Sequence, residues 1–378
     1  MKNSNAPSKS RRQRRMKETL ILICRTYALA VSVVGLLSSC GGSGSKTTGG
    51  DSPISTDLEA EIDNTLSTVS TDVDFTLMVQ ARNGRIYSYS RGDSTPQTTY
   101  RSASTSKMVT AAIVLGLVDR GILKLSDHPQ DYLPDWPSTG NLAAITLHHL
   151  LNFTSGLTEE PFCLNNPFAD FDDCVQNIAT DNAVSTAPGV EFYYSGNHLQ
   201  VAAAMAITSG GFSDWGAVFD DFKSRTGLFA HATYDLPSAR NPRVAGGMHW
   251  QASEYLAFLR ALYWGGILPA DLLTDMTTDR LAGAVIGYSP VATGSIGYDW
   301  HYGYGLWIEC SSVTFDCPNT TRVSSPGAYG AYPFMDVEQH YVGLVAREGD
   351  LGTGDEGYAV WTQVATPLAQ WAQENQGD

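Results

Sequence analysis

The chain has 378 residues, and eight of its 24 Lys and Arg but only one of its 39 Asp and Glu precede Cys40, so the remainder carries a formal net charge of −22. So acidic a body excludes nucleic acid as a partner. Charged residues make up 17% and aromatics 10% of the chain, a balance that excludes disorder beyond the termini and leaves enough sequence for one large domain with a sizeable core.

The first 53 residues read as targeting and tether. Arg11, Arg12, Arg14, Arg15 and Lys17 precede an apolar run from about Leu20 to Leu37, interrupted by Arg25, which is the layout of a secretion signal. The run ends in Leu37-Ser38-Ser39-Cys40, the pattern of a bacterial lipoprotein cleavage site whose Cys40 is acylated and becomes the mature N-terminus. On this expectation residues 1–39 are a signal peptide and 40–53 a flexible tether. The protein is then held to a membrane of the bacterial cell envelope, on the outer-membrane or periplasmic side. A retained transmembrane helix and a twin-arginine signal are the alternatives.

Residues 54–378 form the expected domain. An amphipathic helix covers 55–70, and strands at Phe75–Ala81 and Arg85–Tyr89 are joined across Arg82-Asn83-Gly84, where Asn-Gly supports a tight turn. The stretch from Tyr100 to Ala112 is a loop entering a long apolar helix. On it Ser104 and Lys107 lie three apart, hence on one face. Unpaired amides at a helix N-terminus favour a neutral Lys amine and a developing Ser alkoxide, which makes the pair a nucleophile beside its base. The competing reading is an N-cap Ser with a solvated Lys. From about 127 to 279 the chain shows helical segments and Gly/Pro-punctuated loops without a strand run. Strands follow at 303–309, 327–336 and 340–347, and a last helix ends near Gln373.

Beyond Lys107 the order is Leu117-Val118-Asp119-Arg120-Gly121-Ile122-Leu123, then Tyr132-Leu133-Pro134, then Ile145-Thr146-Leu147-His148-His149-Leu150-Leu151-Asn152-Phe153-Thr154-Ser155-Gly156-Leu157. Together with Ser-x-x-Lys this resembles the serine beta-lactamase-like hydrolases: class C beta-lactamases, D-Ala-D-Ala carboxypeptidases and related esterases. The resemblance implies an α+β fold, a five-stranded antiparallel sheet flanked by helices with an inserted all-helical subdomain. It implies no metal and no cofactor.

It also assigns roles. After Pro188-Gly189 the family shows Tyr-x-Asn, which falls on Tyr194 and Gly196; the Tyr is kept and the Asn is lost, with Asn197 one position on. Tyr194 then shuttles the Ser104 proton, and Tyr193 is the core aromatic. Ser325-Pro326-Gly327 stands in the place of a Lys-Thr-Gly motif, without its cation, and the amides of Ser104 and Ala328 form the oxyanion hole. The expected substrate is a carboxylic ester or small amide. A beta-lactamase or D-Ala-D-Ala carboxypeptidase acting on peptidoglycan-like substrates is the alternative, and a non-catalytic peptidoglycan-binding or scaffold lipoprotein is a third reading. Export makes disulfides the default for the remaining cysteines, with the local pairs Cys163–Cys174 and Cys310–Cys317 preferred among three pairings. A metal site is the competing use of these cysteines, but no ligand spacing accompanies them, and His148 and His149 read as scaffold.

Overall fold

The structure, a computed structural model, describes residues 54–281, 283–316 and 321–377. The expected signal, tether and Cys40 lie outside them, as does Cys317.

One antiparallel sheet carries the domain. Its strands are β1 (Phe75–Ala81), β2 (Ile86–Ser90), β3 (His301–Tyr302), β4 (Trp307–Ile308), β5 (Arg322–Ser324), β6 (Tyr332–Asp336) and β7 (Tyr341–Arg347), in the order β3-β4-β5-β6-β7-β1-β2. β1 and β7 pair from Phe75 with Arg347 to Ala81 with Tyr341, and every residue of both is buried. Burial on both faces explains their continuous apolar runs. At the β1–β2 hairpin Gly84 has φ +92°, and the Asn83 carboxamide oxygen accepts from the Arg85 amide at 2.9 Å.

The sheet has seven strands where five were expected. The stretch 303–309 is divided by Gly305 at φ +70°, so β3 and β4 form a short hairpin around it. The three residues of β5 are too few for an alternation to register. Residues 327–331 form a turn, with Gly330 at φ +94°, and the strand expected there begins only at Tyr332.

Five helices matter for the site: α1 (Ile54–Thr68), α2 (Ser106–Asp119), α3 (Asn197–Gly210), α4 (Ala252–Tyr263) and α5 (Glu356–Glu374). α1 packs on α5, and α5 on β7. α2 is buried from Ser106 through Leu117, so its sequence is apolar all round and shows little periodicity. It packs against α3, which is buried from Asn197 through Ala206.

The inserted region is not all-helical. Glu191–Tyr193 pairs in parallel with Val285–Tyr288, Met248–Gln251 pairs with both Thr99–Arg101 and Thr233–Tyr234, and Pro237–Ser238 meets Asn241–Pro242. Strands of two to four residues leave no period to read. α4, inside the 127–279 stretch, packs on β1, β6 and β7 of the sheet. Cys163 and Cys174 are bridged, with Cα atoms 5.5 Å apart.

Candidate active site

Ser104 sits in a 3-10 turn, Ala103–Thr105, that runs straight into α2. Ala103 before it has φ +43°, a left-handed conformation that costs a non-glycine residue about 1–3 kcal/mol and persists only where neighbours over-determine it. They do so here: the Ser102 amide donates to Met248 O at 2.8 Å, Trp250 Nε1 to Thr105 Oγ1 at 3.0 Å, and Tyr255 Oη to Thr105 O at 2.7 Å. The strained turn is thus clamped from the Met248–Gln251 strand and from α4.

Lys107 Nζ donates to Ser104 Oγ at 2.9 Å and to Ala245 O at 3.0 Å, and the residue is only 4% exposed. The capping alternative therefore falls, because the lysine is buried against the serine. Burial, then the nearby positive charge of Arg243, bring the Lys107 amine down from its ordinary 10.5 to about 7, with Glu160 pulling the other way. A large share of the molecules at neutral pH hold it uncharged, as a base requires.

Tyr194 stands over the same pair, with Lys107 Nζ 4.6 Å from its ring centroid and Trp307 stacked on it at 5.0 Å. Burial pushes its phenol well above the ordinary 10, and hydrogen bonds to Ser104 and Trp307 only partly offset this. Tyr194 is protonated at neutral pH and is a donor or relay. Tyr193, expected in the core, instead lines the cleft and packs on Tyr288 at 5.5 Å. Asn197 does not reach the site; it is fully buried, and its Nδ2 donates to Leu157 O and Glu159 O.

The third motif closes the other side. Ser325 Oγ donates to Ser104 O at 3.0 Å, and a Cβ on Gly327 would come within 2.6 Å of Ser102 O, so only glycine allows this approach. Ala328 lines the cleft, and its amide has no acceptor among the described residues. The Ser104 amide belongs to the first turn of its helix, where amides lack intrahelical partners. Arg322 is turned into the core, 2.7 Å from Glu309 and 3.8 Å from the Trp361 ring centroid. His148 and His149 bond to Tyr304 and Thr146, both as scaffold. Among the described residues no three His, Cys, Asp or Glu side chains gather as a metal site.

Two residues of the cleft were not anticipated. Arg243 Nη2 donates to Glu160 Oε2 at 2.8 Å and Oε1 at 3.1 Å, Arg243 Nη1 donates to Asn165 Oδ1 at 2.9 Å, and the Gly196 amide donates to Glu160 Oε1. Burial would raise the Glu160 carboxyl, but Arg243, the Gly196 amide and Lys107 hold it below the usual range. The sequence signal was indirect: glycine where the family pattern has a larger side chain leaves a volume that something must fill.

These groups share a cleft of about 730 Å³ between the sheet and the inserted region. The beta-lactamase family model matches residues 75–365, spanning the nucleophile turn, Tyr194 and the third motif. The chain belongs to the beta-lactamase family of serine hydrolases. A Bacillus subtilis (strain 168) protein named as a candidate penicillin-binding protein, PbpX, is 27% identical over 175 residues, 45% of this chain and 43% of that protein. The match thus spans less than half of either. Among solved structures, a candidate beta-lactamase from Bacteroides dorei DSM 17855 superposes with TM-score 0.69 at 23% identity, over 82% of this chain and 98% of that one. EstCE1, described as a hydrolase with promiscuous acyltransferase activity, gives 0.67 at 18%, over 83% and 98%. At these identities the likeness is one of fold.

Proposed function

We propose that this beta-lactamase family member is an esterase that works through an acyl-enzyme on Ser104. Lys107 takes the Ser104 proton as Oγ attacks the substrate carbonyl, and the Ser104 and Ala328 amides receive the developing oxyanion, worth about 3 kcal/mol per donor. Tyr194 gives its proton to the departing alkoxide and is reprotonated from the Lys107 ammonium; Lys107 then takes a proton from the water that attacks the acyl-enzyme and returns it to Ser104 Oγ as the acid leaves. The observation that carries this reading is the 2.9 Å contact of a buried lysine with the serine hydroxyl.

Substrate preference follows from charge. The third motif has no cation, and the cation the cleft does contain, Arg243, is already held by both oxygens of Glu160, while Glu159 and Asp355 add acidic lining. Beta-lactams and D-Ala-D-Ala peptides carry a carboxylate, which would have to compete with Glu160 for Arg243. Neutral short-chain esters avoid that cost. A comparison of specificity constants for a short-chain ester, a chromogenic cephalosporin and a D-Ala-D-Ala peptide on one preparation tests the reading. The ester is expected to lead, and a higher cephalosporin or peptide value would reassign the protein to the alternative.

We also propose that Cys40 is lipidated and anchors the domain to a membrane of the cell envelope, on the strength of Leu37-Ser38-Ser39-Cys40 and the Gly/Ser stretch behind it. Expressed in a bacterium, the protein should fractionate with membranes, and Cys40→Ser should release it or block processing. A soluble product with an unmodified N-terminus beyond Cys40 would contradict the anchor.

A further inference from the structure

We propose that Arg243 is a positioning residue of this active site: seated by Glu160 and Asn165 in the space that glycine leaves at position 196, its guanidinium adds positive charge to the cleft that holds Lys107 and favours that lysine as a proton acceptor. This rests on the reading of Lys107 as the base.

The first argument is volume. A Cβ on residue 196 would lie 3.1 Å from Arg243 Nε, from Arg243 Nη2 and from Glu160 Oε1 at once. The ion pair therefore occupies the ground a side chain at 196 would take, two residues beyond Tyr194. The second argument is the backbone. Three consecutive residues perform linked tasks: Arg243 places its charge in the cleft, the Val244 carbonyl accepts from Thr110 Oγ1 of α2 at 2.8 Å, and the Ala245 carbonyl accepts from Lys107 Nζ. A Cβ on Gly247 would come within 2.0 Å of Leu236 O, so the end of this segment is locked against the neighbouring turn. The lysine and the arginine are thus held by one rigid piece of chain.

The third argument is electrostatic. The titratable groups that act on Lys107 or pack against it are Arg243, Glu160, Tyr194 and His198. Tyr194 is neutral near pH 7, and His198 is too, since burial first of all brings its imidazole to about 4. Of these four only the ion pair is charged, and its two members act in opposite senses, Arg243 against the ammonium form and Glu160 for it.

The experiment reads the sign. Only Lys107, Lys124 and Lys223 fall within residues 54–378, so the Lys107 side chain can be followed by NMR of carbon-13-labelled lysine independently of turnover. In parallel, kcat/KM for a short-chain ester is recorded against pH. Arg243→Met should move both the lysine titration and the acid limb of kcat/KM to higher pH, lowering the rate below neutrality by about three- to tenfold and restoring it in alkali. Glu160→Gln should move both to lower pH, and Arg243→Lys should stay near the parent. A uniform loss at every pH with the lysine titration unmoved in both variants would overturn the proposal, as would shifts of the same sign. If the titrations move as stated while Ser104→Ala still hydrolyses the ester, the esterase reading fails and the placement of charge stands.

Discussion

Two of the arginine–glutamate pairs among the described residues are nearly equal in length, Arg243–Glu160 at 2.8 Å in the cleft and Arg322–Glu309 at 2.7 Å in the core. Their surroundings differ. Arg322 lies on the Trp361 face, shares its Nε with the Tyr332 hydroxyl at 3.0 Å and faces Asp336 as well, while Glu309 is 2% exposed and also accepts from Tyr332. All of its partners are committed. Arg243 is 28% exposed on its side chain, and its Nε donates to nothing among the described residues. The same chemistry closed on every side serves the fold, and left open beside a nucleophile it serves the site. Arg322 has two acidic neighbours and an aromatic lid, whereas Arg243 faces a buried lysine.

The sharpest way to break this contrast is to remove each cation. Arg322→Met leaves Glu309 buried without a counter-charge, and a loss of about 3–5 kcal/mol, read in urea unfolding, is expected. The equivalent Arg243→Met should cost no more than about 1 kcal/mol, because water reaches the carboxylate it releases. Equal costs would erase the distinction.

Next in size is the disulfide, which closes the loop carrying Asn165, one of the two residues that seat Arg243. Cys163→Ser with Cys174→Ser should lower stability by about 2–3 kcal/mol and weaken ester turnover, whereas the Arg322 cluster keeps its aromatic signature in near-ultraviolet circular dichroism.

A smaller effect belongs to Ser325→Ala. It deletes the hydrogen bond to Ser104 O, at about 1 kcal/mol of stability and roughly a tenfold loss of kcat with KM little changed, read by steady-state kinetics. For the unmodified protein, kcat/KM should fall as pH drops through about 7, because Lys107 then takes up the proton that disables it as a base. A profile flat down to pH 5 would remove Lys107 from that role.

Much of this was legible from the sequence, and the reason is local. Ser104 and Lys107 share one turn, the Asn-Gly hairpin carries its own turn chemistry, and β1 and β7 are long enough for their apolar runs to register. The short strands β3 and β5 were lost for want of length, and of the strand expected at 303–309 only β4 remains. Tyr194 stands over Lys107, whereas Tyr193 lines the cleft and not the core, since a tyrosine at a cleft mouth and one in a core read alike. Arg243 and Glu160 were invisible because they are 83 residues apart, on loops without periodicity. The missing cation was read for the third motif alone. In the structure a cation, Arg243, enters the cleft from another part of the chain.

The account stands on Ser104 being the nucleophile with Lys107 as its base. A fluorophosphonate probe followed by peptide mass mapping tests this most directly. The label should fall on Ser104, vanish in Ser104→Ala, and form at least about a hundredfold more slowly in Lys107→Ala. A label on any other residue, or one that reaches Ser104 as fast without Lys107, would contradict it.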